Sequence, residues 1–217
     1  MPKNPNESLS NNHALYVGVS GSGKTQALAQ NVHLKNKSAR VIYWDTHHSF
    51  KADHYNTIPE LLKALKVAES KRGGYRIAYG GEKSPEAFDK LCRLVFAVID
   101  GNKPHVFVVD ELASITTAIA KDNSPLGDLL RESRKFGLVI LLSATRAAEI
   151  PKTAFTNCPH KIIGAQGSVS DQKTMSDFLR IDHDLLADTE LEDLNFWYKE
   201  PKKLAVKYRV KYKKPPL

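Results

Sequence analysis

One short segment constrains the fold of this chain more than any other. Residues 18–25 read Gly-Val-Ser-Gly-Ser-Gly-Lys-Thr and match G-x-x-x-x-G-K-[ST], the phosphate-binding loop. The apolar residues 14–17 predict a strand directly before the loop. Leu28 and Val32 lie one turn apart and predict a helix directly after it. Because the motif requires a strand before it and a helix after it, this context indicates a true nucleoside triphosphate site rather than an ordinary glycine-rich turn.

Each position of this loop has a chemical reason. Gly18, Gly21 and Gly23 are expected to let the backbone take positive φ and approach an anion without a Cβ in the way. The N–H groups then point inward, with the positive end of the following helix beneath them. Lys24 is expected to reach the β- and γ-phosphates and Thr25 to offer its hydroxyl to Mg²⁺, so ATP and Mg²⁺ are the predicted cofactors. The loop residues predicted to bind the nucleotide are Gly18, Ser20, Gly21, Ser22, Gly23, Lys24, Thr25 and Gln26.

The size of the chain fits a single domain. It has 217 residues, a mass of 24.2 kDa and 41% hydrophobic residues, enough to fill one core. We expect residues 1–12 to form a flexible leader and residues 13–217 a single ATPase domain. No apolar run approaches the span of a bilayer, and the first residues lack the apolar core of a signal peptide, so we expect no transmembrane segment and no secretion. Cys92 and Cys158 are expected to be buried free thiols in a reducing compartment.

The net charge is strongly positive. A formal charge of +8 and a pI near 9.3 are typical of proteins that bind a polyanion. An alternative is a solvated edge strand whose charges prevent aggregation, and composition does not separate the two. Much of the excess charge lies near the C-terminus, at Lys199, Lys202, Lys203, Lys207, Arg209, Lys211, Lys213 and Lys214.

Strand and helix patterns alternate from residue 14 to about residue 180. This alternation predicts an α/β fold with a mostly parallel central sheet and helices on both faces. The predicted strands are 14–19, 40–45, 75–79, 105–110, 138–143 and 161–165. The predicted helices are 24–36, 58–70, 85–99, 125–136 and 171–180, with Ser124 and Pro125 as N-cap and first turn of the fourth. Residues 195–212 predict an antiparallel hairpin at a sheet edge, followed by a basic, proline-containing tail at 213–217.

An acidic pair supplies the second half of the predicted site. Residues 105–109 are an apolar run, typical of a buried central strand, and Asp110 and Glu111 follow it directly. Ligands of open α/β sheets bind at the carboxyl ends of the strands. Asp110 is therefore predicted to hold Mg²⁺ through water, and Glu111 to activate the attacking water as a general base. The adjacent glutamate favours a nucleotide hydrolase over a small-molecule kinase, which must keep water out.

The helix predicted at 125–136 carries two arginines off its apolar stripe. Arg131 and Arg134 are three residues apart and share a face. A solvated helix face is one interpretation. The other is an arginine finger that reaches the γ-phosphate of a neighbouring subunit and neutralises charge in the transition state.

The strand at 138–143 ends in polar residues beside the predicted phosphate site. Thr145 and Ser143 are candidates to sense the γ-phosphate, and Arg146 is a candidate to reach nucleotide or DNA. A simple strand-end turn would also explain them. Asp-Thr-His-His at 45–48 invites a metal interpretation, but adjacent histidines point apart in an extended chain, so a surface loop is favoured. His13, His105, His160 and His183 lack a recognisable metal-ligand spacing.

The order of these motifs resembles the FtsK–HerA superfamily of DNA-translocating ATPases. The resemblance covers residues 13–166. The phosphate loop is common to many NTPases, whereas Arg-Glu-Ser-Arg-Lys-Phe-Gly at 131–137, leading into Leu-Val-Ile-Leu-Leu-Ser-Ala-Thr-Arg at 138–146, is more discriminating. The small size and the lack of added domains are most similar to the genome-packaging ATPases of double-jelly-roll viruses, including membrane-containing phages.

The resemblance implies a RecA-like core that acts as a homo-oligomeric ring, with a hexamer expected. ATP would lie at subunit junctions, with Arg131 or Arg134 acting in trans, and double-stranded DNA would pass through the centre. Residues 112–124 would project toward the pore. Many members carry glutamine where this chain has Thr145. Either the γ-phosphate-sensing role is missing here, or the shorter hydroxyl of Thr145 fills it through a water. Capsid portal or packaging-vertex proteins are the implied partners, in the host cytoplasm during assembly or at a virion vertex.

Three functions follow, in decreasing order of preference. The first is an ATP-hydrolysing motor that packages a viral genome into a preformed capsid. The second is a nucleotide-dependent phage assembly or secretion protein, although such proteins usually carry a membrane span. The third is a small-molecule P-loop kinase, which fits the length, but which Glu111 and the lack of an arginine-rich lid make a weaker match.

Overall fold

A central sheet organises the protein. In a computed structural model, the structure describes residues 1–112, 115, 124–215 and 217. Over these residues the sheet has nine strands in the order β3-β4-β2-β5-β6-β1-β7-β8-β9. The strands are β1 Ala14–Val17, β2 Arg40–Trp44, β3 Asp53–Tyr55, β4 Tyr75–Tyr79, β5 His105–Val109, β6 Leu138–Ala144, β7 His160–Ile163, β8 Asn195–Lys199 and β9 Val206–Arg209.

The pairing of the strands confirms the predicted fold class. Strands β3, β4, β2, β5, β6, β1 and β7 are joined by parallel ladders. The hairpin β8–β9 is antiparallel and adds to β7 at one edge, as predicted. Strands β5 and β6 are buried at every position because helices cover both faces.

Helices form a layer on each side of the sheet. One side holds the larger core, built with Leu61 and Leu65, Phe88 and Leu91, and the apolar stripe of the helix after residue 124. The other side holds a smaller core around Leu28 and Leu34. The helices of the described residues are α1 Lys24–Ala29, α2 Val32–Lys35, α3 Ile58–Ser70, α4 Pro85–Val98, α5 Pro125–Glu132, α6 Lys152–Asn157 and α7 Val169–Leu179. Every one of them is too short or too polar to cross a bilayer.

The predicted start of α5 is confirmed. The Ser124 hydroxyl accepts a hydrogen bond from the Gly127 N–H at 3.1 Å, and Pro125 occupies the first turn. The α-helix ends at Glu132, and the last predicted turn is a 3-10 helix, Ser133–Phe136. Gly137 closes it with φ +72°.

Three local features differ from the sequence-based expectation. The helix predicted over residues 24–36 is broken, because the Asn31 side chain accepts a hydrogen bond from the His33 N–H and starts the separate helix α2. Strand β3 and helix α6 were not predicted. Both are short, and β3 forms at a sheet edge by pairing with β4, so periodicity within the segment carries little signal.

Residues 1–12, expected to form a flexible leader, contact the domain. The Lys3 N–H donates to the Ile99 carbonyl at 3.1 Å, and the Asn6 N–H donates to the Lys135 carbonyl at 2.6 Å. These bonds dock the leader beside the end of α4 and beside the 3-10 turn after α5. The predicted pore segment 112–124 lies largely outside the described residues.

The two cysteines are free and buried, as predicted. Burial raises the pKa of the Cys158 thiol to about 12, opposed in part by the charge of Lys161. A thiol with so high a pKa is inert at neutral pH, because the thiolate is the reactive form.

Candidate nucleotide-binding site

The phosphate loop joins β1 to α1 at the carboxyl edge of the sheet. Gly21 and Gly23 have φ +86° and +90°, as expected for a loop that turns its N–H groups inward. The expectation of positive φ at Gly18 is wrong, because Gly18 is not among the left-handed residues. Space explains this glycine instead: a Cβ there would lie 2.9 Å from the Ser22 hydroxyl and 3.3 Å from the Ala165 carbonyl oxygen.

A distant segment packs against the loop. The Leu194 N–H, just before β8, donates to the Ser22 carbonyl at 2.9 Å. A Cβ at Gly23 would lie 2.5 Å from the Leu194 Cδ2, so both φ and space require glycine there. Sequence reasoning missed Leu194, since nothing in its neighbourhood indicates a contact with a loop so distant in the chain.

Lys24 is buried beneath the loop. Its Nζ donates to the Val19 carbonyl at 3.0 Å, and the Ser22 hydroxyl donates to the same oxygen at 2.8 Å. Burial lowers the pKa of Lys24, and the nearby carboxylates of Glu111 and Asp110 oppose that shift. The ammonium is thus a poorly hydrated cation facing the loop interior, which suits it to bind phosphate oxygens.

Asp110 lies between the loop and strand β6. Parallel pairing of Val109 with Leu142 sets it beside Ser143, whose hydroxyl donates to its carboxylate at 2.7 Å. The Thr25 hydroxyl lies 3.5 Å from both carboxylate oxygens of Asp110. Burial raises the pKa of Asp110, and the hydrogen bond from Ser143 opposes that shift. A bound cation would favour the ionised carboxylate.

Glu111 is held in an unusual backbone conformation. Its φ is +60°, in the left-handed region that a residue with a Cβ rarely adopts. Its N–H donates to the Ser143 hydroxyl at 3.0 Å, and its carboxylate accepts a hydrogen bond from the Thr145 hydroxyl at 2.6 Å. Ser143 and Thr145, at the end of β6, therefore hold the carboxylates of Asp110 and Glu111, respectively.

These residues line one cleft of about 340 Å³. The cleft brings together most of the loop, both members of the acidic pair and Thr145, which the sequence predicted would meet. It also includes His47 and Ser49. Its lining is Ser20, Gly21, Gly23, Lys24, Thr25, Gln26, His47, Ser49, Asp110, Glu111 and Thr145.

His47 and Ser49 reach the cleft because Asp45 folds the loop after β2. The buried Asp45 carboxylate accepts from the N–H groups of Ser49 at 2.8 Å and Phe50 at 3.0 Å, and lies 2.9 Å from the His54 ring nitrogen. Asp45 thus organises a loop rather than a metal site, in agreement with the interpretation favoured from the sequence. Among the described residues, the one cluster with metal-ligand geometry is the consecutive, largely exposed set Asp182, His183 and Asp184.

The comparisons with known proteins identify a relative of this chain. No family model matches the chain. The chain is 34% identical over 171 residues to Protein P9 of Pseudoalteromonas phage PM2, which spans 79% of this chain and 76% of that protein. The chain belongs to the family of Protein P9.

Solved structures share the fold of this P9 family member. The genome packaging NTPase B204 from Sulfolobus turreted icosahedral virus 2, in complex with AMPPCP, matches with a TM-score of 0.70 at 14% identity, over 94% of this chain and 99% of that one. The DNA-packaging ATPase B204 from Sulfolobus turreted icosahedral virus matches with a TM-score of 0.66 at 15% identity, over 98% of this chain and 100% of that one. The pCW3 conjugation coupling protein TcpA matches with a TM-score of 0.60 at 18% identity, over 96% of this chain and 60% of that one. The predicted RecA-like fold and the resemblance to packaging ATPases are confirmed.

In this P9 family member, Arg131 and Arg134 do not line the cleft described above. They lie in the last turns before β6, near the amino edge of the sheet, whereas the phosphate loop is at the carboxyl edge. Arg131 donates to the Asp128 carboxylate at 2.8 Å. Arg134 donates to the Glu7 carboxylate and carbonyl, each at 2.8 Å, and to the Leu9 carbonyl. Neither arginine reaches the cleft of its own subunit, and a role in trans stays a prediction.

Arg146 lies closer to the phosphate loop. It borders a second cleft of about 350 Å³ that shares Ser20 and Thr145 with the first. Its side chain is 54% exposed, and its Nε lies 3.4 Å from the Asp171 carboxylate. A loosely paired guanidinium here fits the predicted contact with nucleotide or DNA.

Proposed function

We propose that the protein is an Mg²⁺-dependent ATPase that translocates double-stranded DNA and packages a viral genome into a preformed capsid. One observation carries this proposal: the phosphate-loop residues Lys24 and Thr25 share a cleft with Asp110 and Glu111. A P-loop with an adjacent acidic pair is the arrangement of a nucleotide hydrolase.

The relatives support the finer parts of the proposal. B204 is a genome packaging NTPase whose structures contain AMPPCP and ATP-gammaS, and TcpA, another solved structure with this fold, contains ATPgS. Protein P9, with which this chain shares a family, comes from a phage. The ATP analogues bound by B204 and TcpA support ATP binding in this cleft, and the packaging function of B204 supports a role in genome packaging.

The donors in the cleft fit Mg²⁺. Mg²⁺ prefers hard oxygen ligands, and the cleft offers two groups of this kind. The Thr25 hydroxyl oxygen lies 3.5 Å from both carboxylate oxygens of Asp110. When bound, Mg²⁺ would neutralise developing charge on the phosphates. Thr25 and Asp110 would hold it, and Ser143 would orient the Asp110 carboxylate through its 2.7 Å hydrogen bond.

The other residues have separate roles in the proposed reaction. Lys24 binds the β- and γ-phosphates, released from its resting hydrogen bond to Val19. The Glu111 carboxylate accepts the proton of the attacking water, while Thr145 keeps that carboxylate oriented. Arg131 or Arg134 of a neighbouring subunit would complete the site, which requires a ring, with a hexamer proposed.

The proposal also includes location and organisation. Residues 13–217 would act as one ATPase domain, with capsid portal or packaging-vertex proteins as partners. The motor would work in the host cytoplasm during assembly, with retention at a virion vertex as a further option. The excess positive charge of +8 favours contact with DNA phosphates.

The test is steady-state ATP hydrolysis at low salt, with and without duplex DNA and with and without Mg²⁺. Glu111→Gln keeps the shape of the side chain but removes the base, and exposed Glu190→Gln is its matched control. We expect Mg²⁺-dependent hydrolysis that DNA stimulates and that Glu111→Gln abolishes while Glu190→Gln does not. Hydrolysis indifferent to DNA at high protein concentration would favour the assembly protein, and phosphate transfer to a nucleoside would favour the kinase.

A further inference from the structure

The segment after β9 crosses helix α1 and reaches the loop after β2. The Val210 N–H donates to the Leu194 carbonyl at 3.0 Å, and the Gln30 side chain donates to the Lys211 carbonyl at 2.7 Å. At the far end, the Leu217 N–H donates to the Ser49 carbonyl at 2.9 Å. We call residues 211–215 together with Leu217 the strap.

The strap is fixed most firmly beside the phosphate loop. The Gln26 side chain donates to the Lys213 carbonyl at 2.6 Å and accepts from the Lys213 N–H at 2.9 Å. Gln26 directly follows Thr25 and lines the nucleotide cleft, as does Ser49, which the far end of the strap contacts. Two cleft-lining residues are therefore tied to the same strap.

The proposed function implies a direction for the bound nucleotide, with its nucleoside on the side of the cleft next to the strap. The γ-phosphate lies toward Lys24 and the acidic pair, so the α-phosphate lies toward the loop end, near Thr25 and Gln26. The nucleoside is attached to the α-phosphate and leaves the loop past Gln26. The strap lies on that side, since Lys213 is hydrogen-bonded to the Gln26 side chain.

Tyr212 is the aromatic residue of the strap, and the residue is 66% exposed. Its backbone is fixed on both sides, through the Lys211 carbonyl bound by Gln30 and the Lys213 amide bound by Gln26. An exposed ring on a fixed backbone has a low ordering cost when it binds a flat partner, because only its side-chain torsions remain to be ordered. Aromatic side chains stack on nucleobases in a way that tolerates different bases.

We propose that Tyr212 stacks on the base of the bound nucleoside triphosphate and that the strap forms the nucleoside side of the binding site. The proposal rests on the proposed ATP-binding function and adds the residue that recognises the base. Because stacking reads the π face rather than the hydrogen-bonding edge, the site accepts other purine triphosphates besides ATP.

The experiment compares the affinities of ATP and inorganic triphosphate by calorimetry for wild type, Tyr212→Ala and Tyr212→Phe. Removing a stacked ring is expected to weaken ATP binding roughly tenfold. Inorganic triphosphate has no base, so its affinity should stay within about twofold, and Tyr212→Phe should bind both ligands as wild type does. Tyr208→Ala, on the preceding strand β9, removes an equal ring and should change neither affinity.

A second variant tests the strap without touching the ring. Gln30→Ala removes the anchor of the Lys211 carbonyl and should also weaken ATP while sparing inorganic triphosphate. Unchanged ATP affinity in Tyr212→Ala, or an equal loss for both ligands, would overturn the stacking proposal and leave the proposed function intact. Failure of the wild-type protein to bind either ligand would instead count against the proposed function itself.

Discussion

The hydroxyl of Thr145 donates a 2.6 Å hydrogen bond to the carboxylate of Glu111. The two residues follow the neighbouring parallel strands β6 and β5, so the pairing of these strands brings them close together. Glu111 also has a φ of +60°, so its position depends on contacts that stabilise an unfavourable backbone. Thr145 is thereby a positioning residue for the proposed general base.

Thr145→Val tests this role because it removes the hydroxyl and keeps the shape. We expect kcat for ATP hydrolysis to fall at least about tenfold, since a misplaced base reacts poorly, with ATP affinity within twofold of wild type. Thr145→Ser should restore most of the rate. A loss of ATP affinity without a loss of kcat would indicate that Thr145 senses the phosphate directly instead.

Gly18→Ala and Gly21→Ala are predicted to destabilise the protein for different physical reasons. Gly18→Ala should destabilise the fold by about 1–3 kcal/mol through overpacking against Ser22 and Ala165. Gly21→Ala meets no atom within 4 Å but must adopt φ +86°, which costs about 1–2 kcal/mol. Urea unfolding of each variant in the wild-type background and in the Ser22→Ala background measures the difference. Only the Gly18→Ala penalty should shrink in the Ser22→Ala background.

Replacing Arg131 and replacing Arg134 are predicted to change the free energy of unfolding by different amounts. Arg134 holds the leader through Glu7 and Leu9, so Arg134→Ala should lower the free energy of unfolding by about 1–2 kcal/mol. The exposed pair of Arg131 with Asp128 should contribute less than about 1 kcal/mol. Urea titrations of the two variants measure both values.

The trans role is tested by mixing subunits. A variant of the true arginine finger should regain hydrolysis when it is mixed with Glu111→Gln subunits, because some junctions then have both an intact base and an intact arginine. The other arginine variant should keep its activity without mixing. If neither variant loses activity, the trans arginine lies elsewhere.

Buried His13 should make stability depend on pH. Burial, and then the nearby His160, lower the pKa of His13 from 6.5 to about 3, and its Nδ1 accepts from the Ile140 N–H at 3.0 Å. The unfolded chain binds a proton below pH 6.5 while the folded chain does not until about pH 3, so stability is lost as the pH falls through that window.

The comparison of wild type with His13→Gln measures this effect. Between pH 6.5 and 5, the free energy of unfolding of wild type should fall more steeply than that of the variant, by up to about 1.4 kcal/mol per pH unit. Chemical denaturation at several pH values gives both slopes. Equal slopes would show that His13 binds its proton at the same pH in the folded and the unfolded chain, so that burial does not lower its pKa.

Much of the site was determined by the sequence alone. The glycine-rich loop with its lysine and threonine, the apolar strand that ends in Asp110 and Glu111, and the alternation of strands and helices all depend on neighbours within a few residues. Such patterns are visible in one dimension because backbone geometry and hydrophobic periodicity act locally. The carboxyl ends of parallel strands then bring loop and acidic pair together without further information.

Only the tertiary structure decided the rest. Gly18 is glycine because of Ser22 and Ala165, and Leu194 supports the loop from far along the chain. Thr145 lines the nucleotide cleft, and its hydrogen bond to Glu111 is a contact that the sequence did not predict, whereas its role in sensing the γ-phosphate stays a prediction. The strap that ties Lys213 to Gln26 joins residues 187 positions apart. These contacts depend on which surfaces packing brings together, and a linear pattern holds no record of the distances that result.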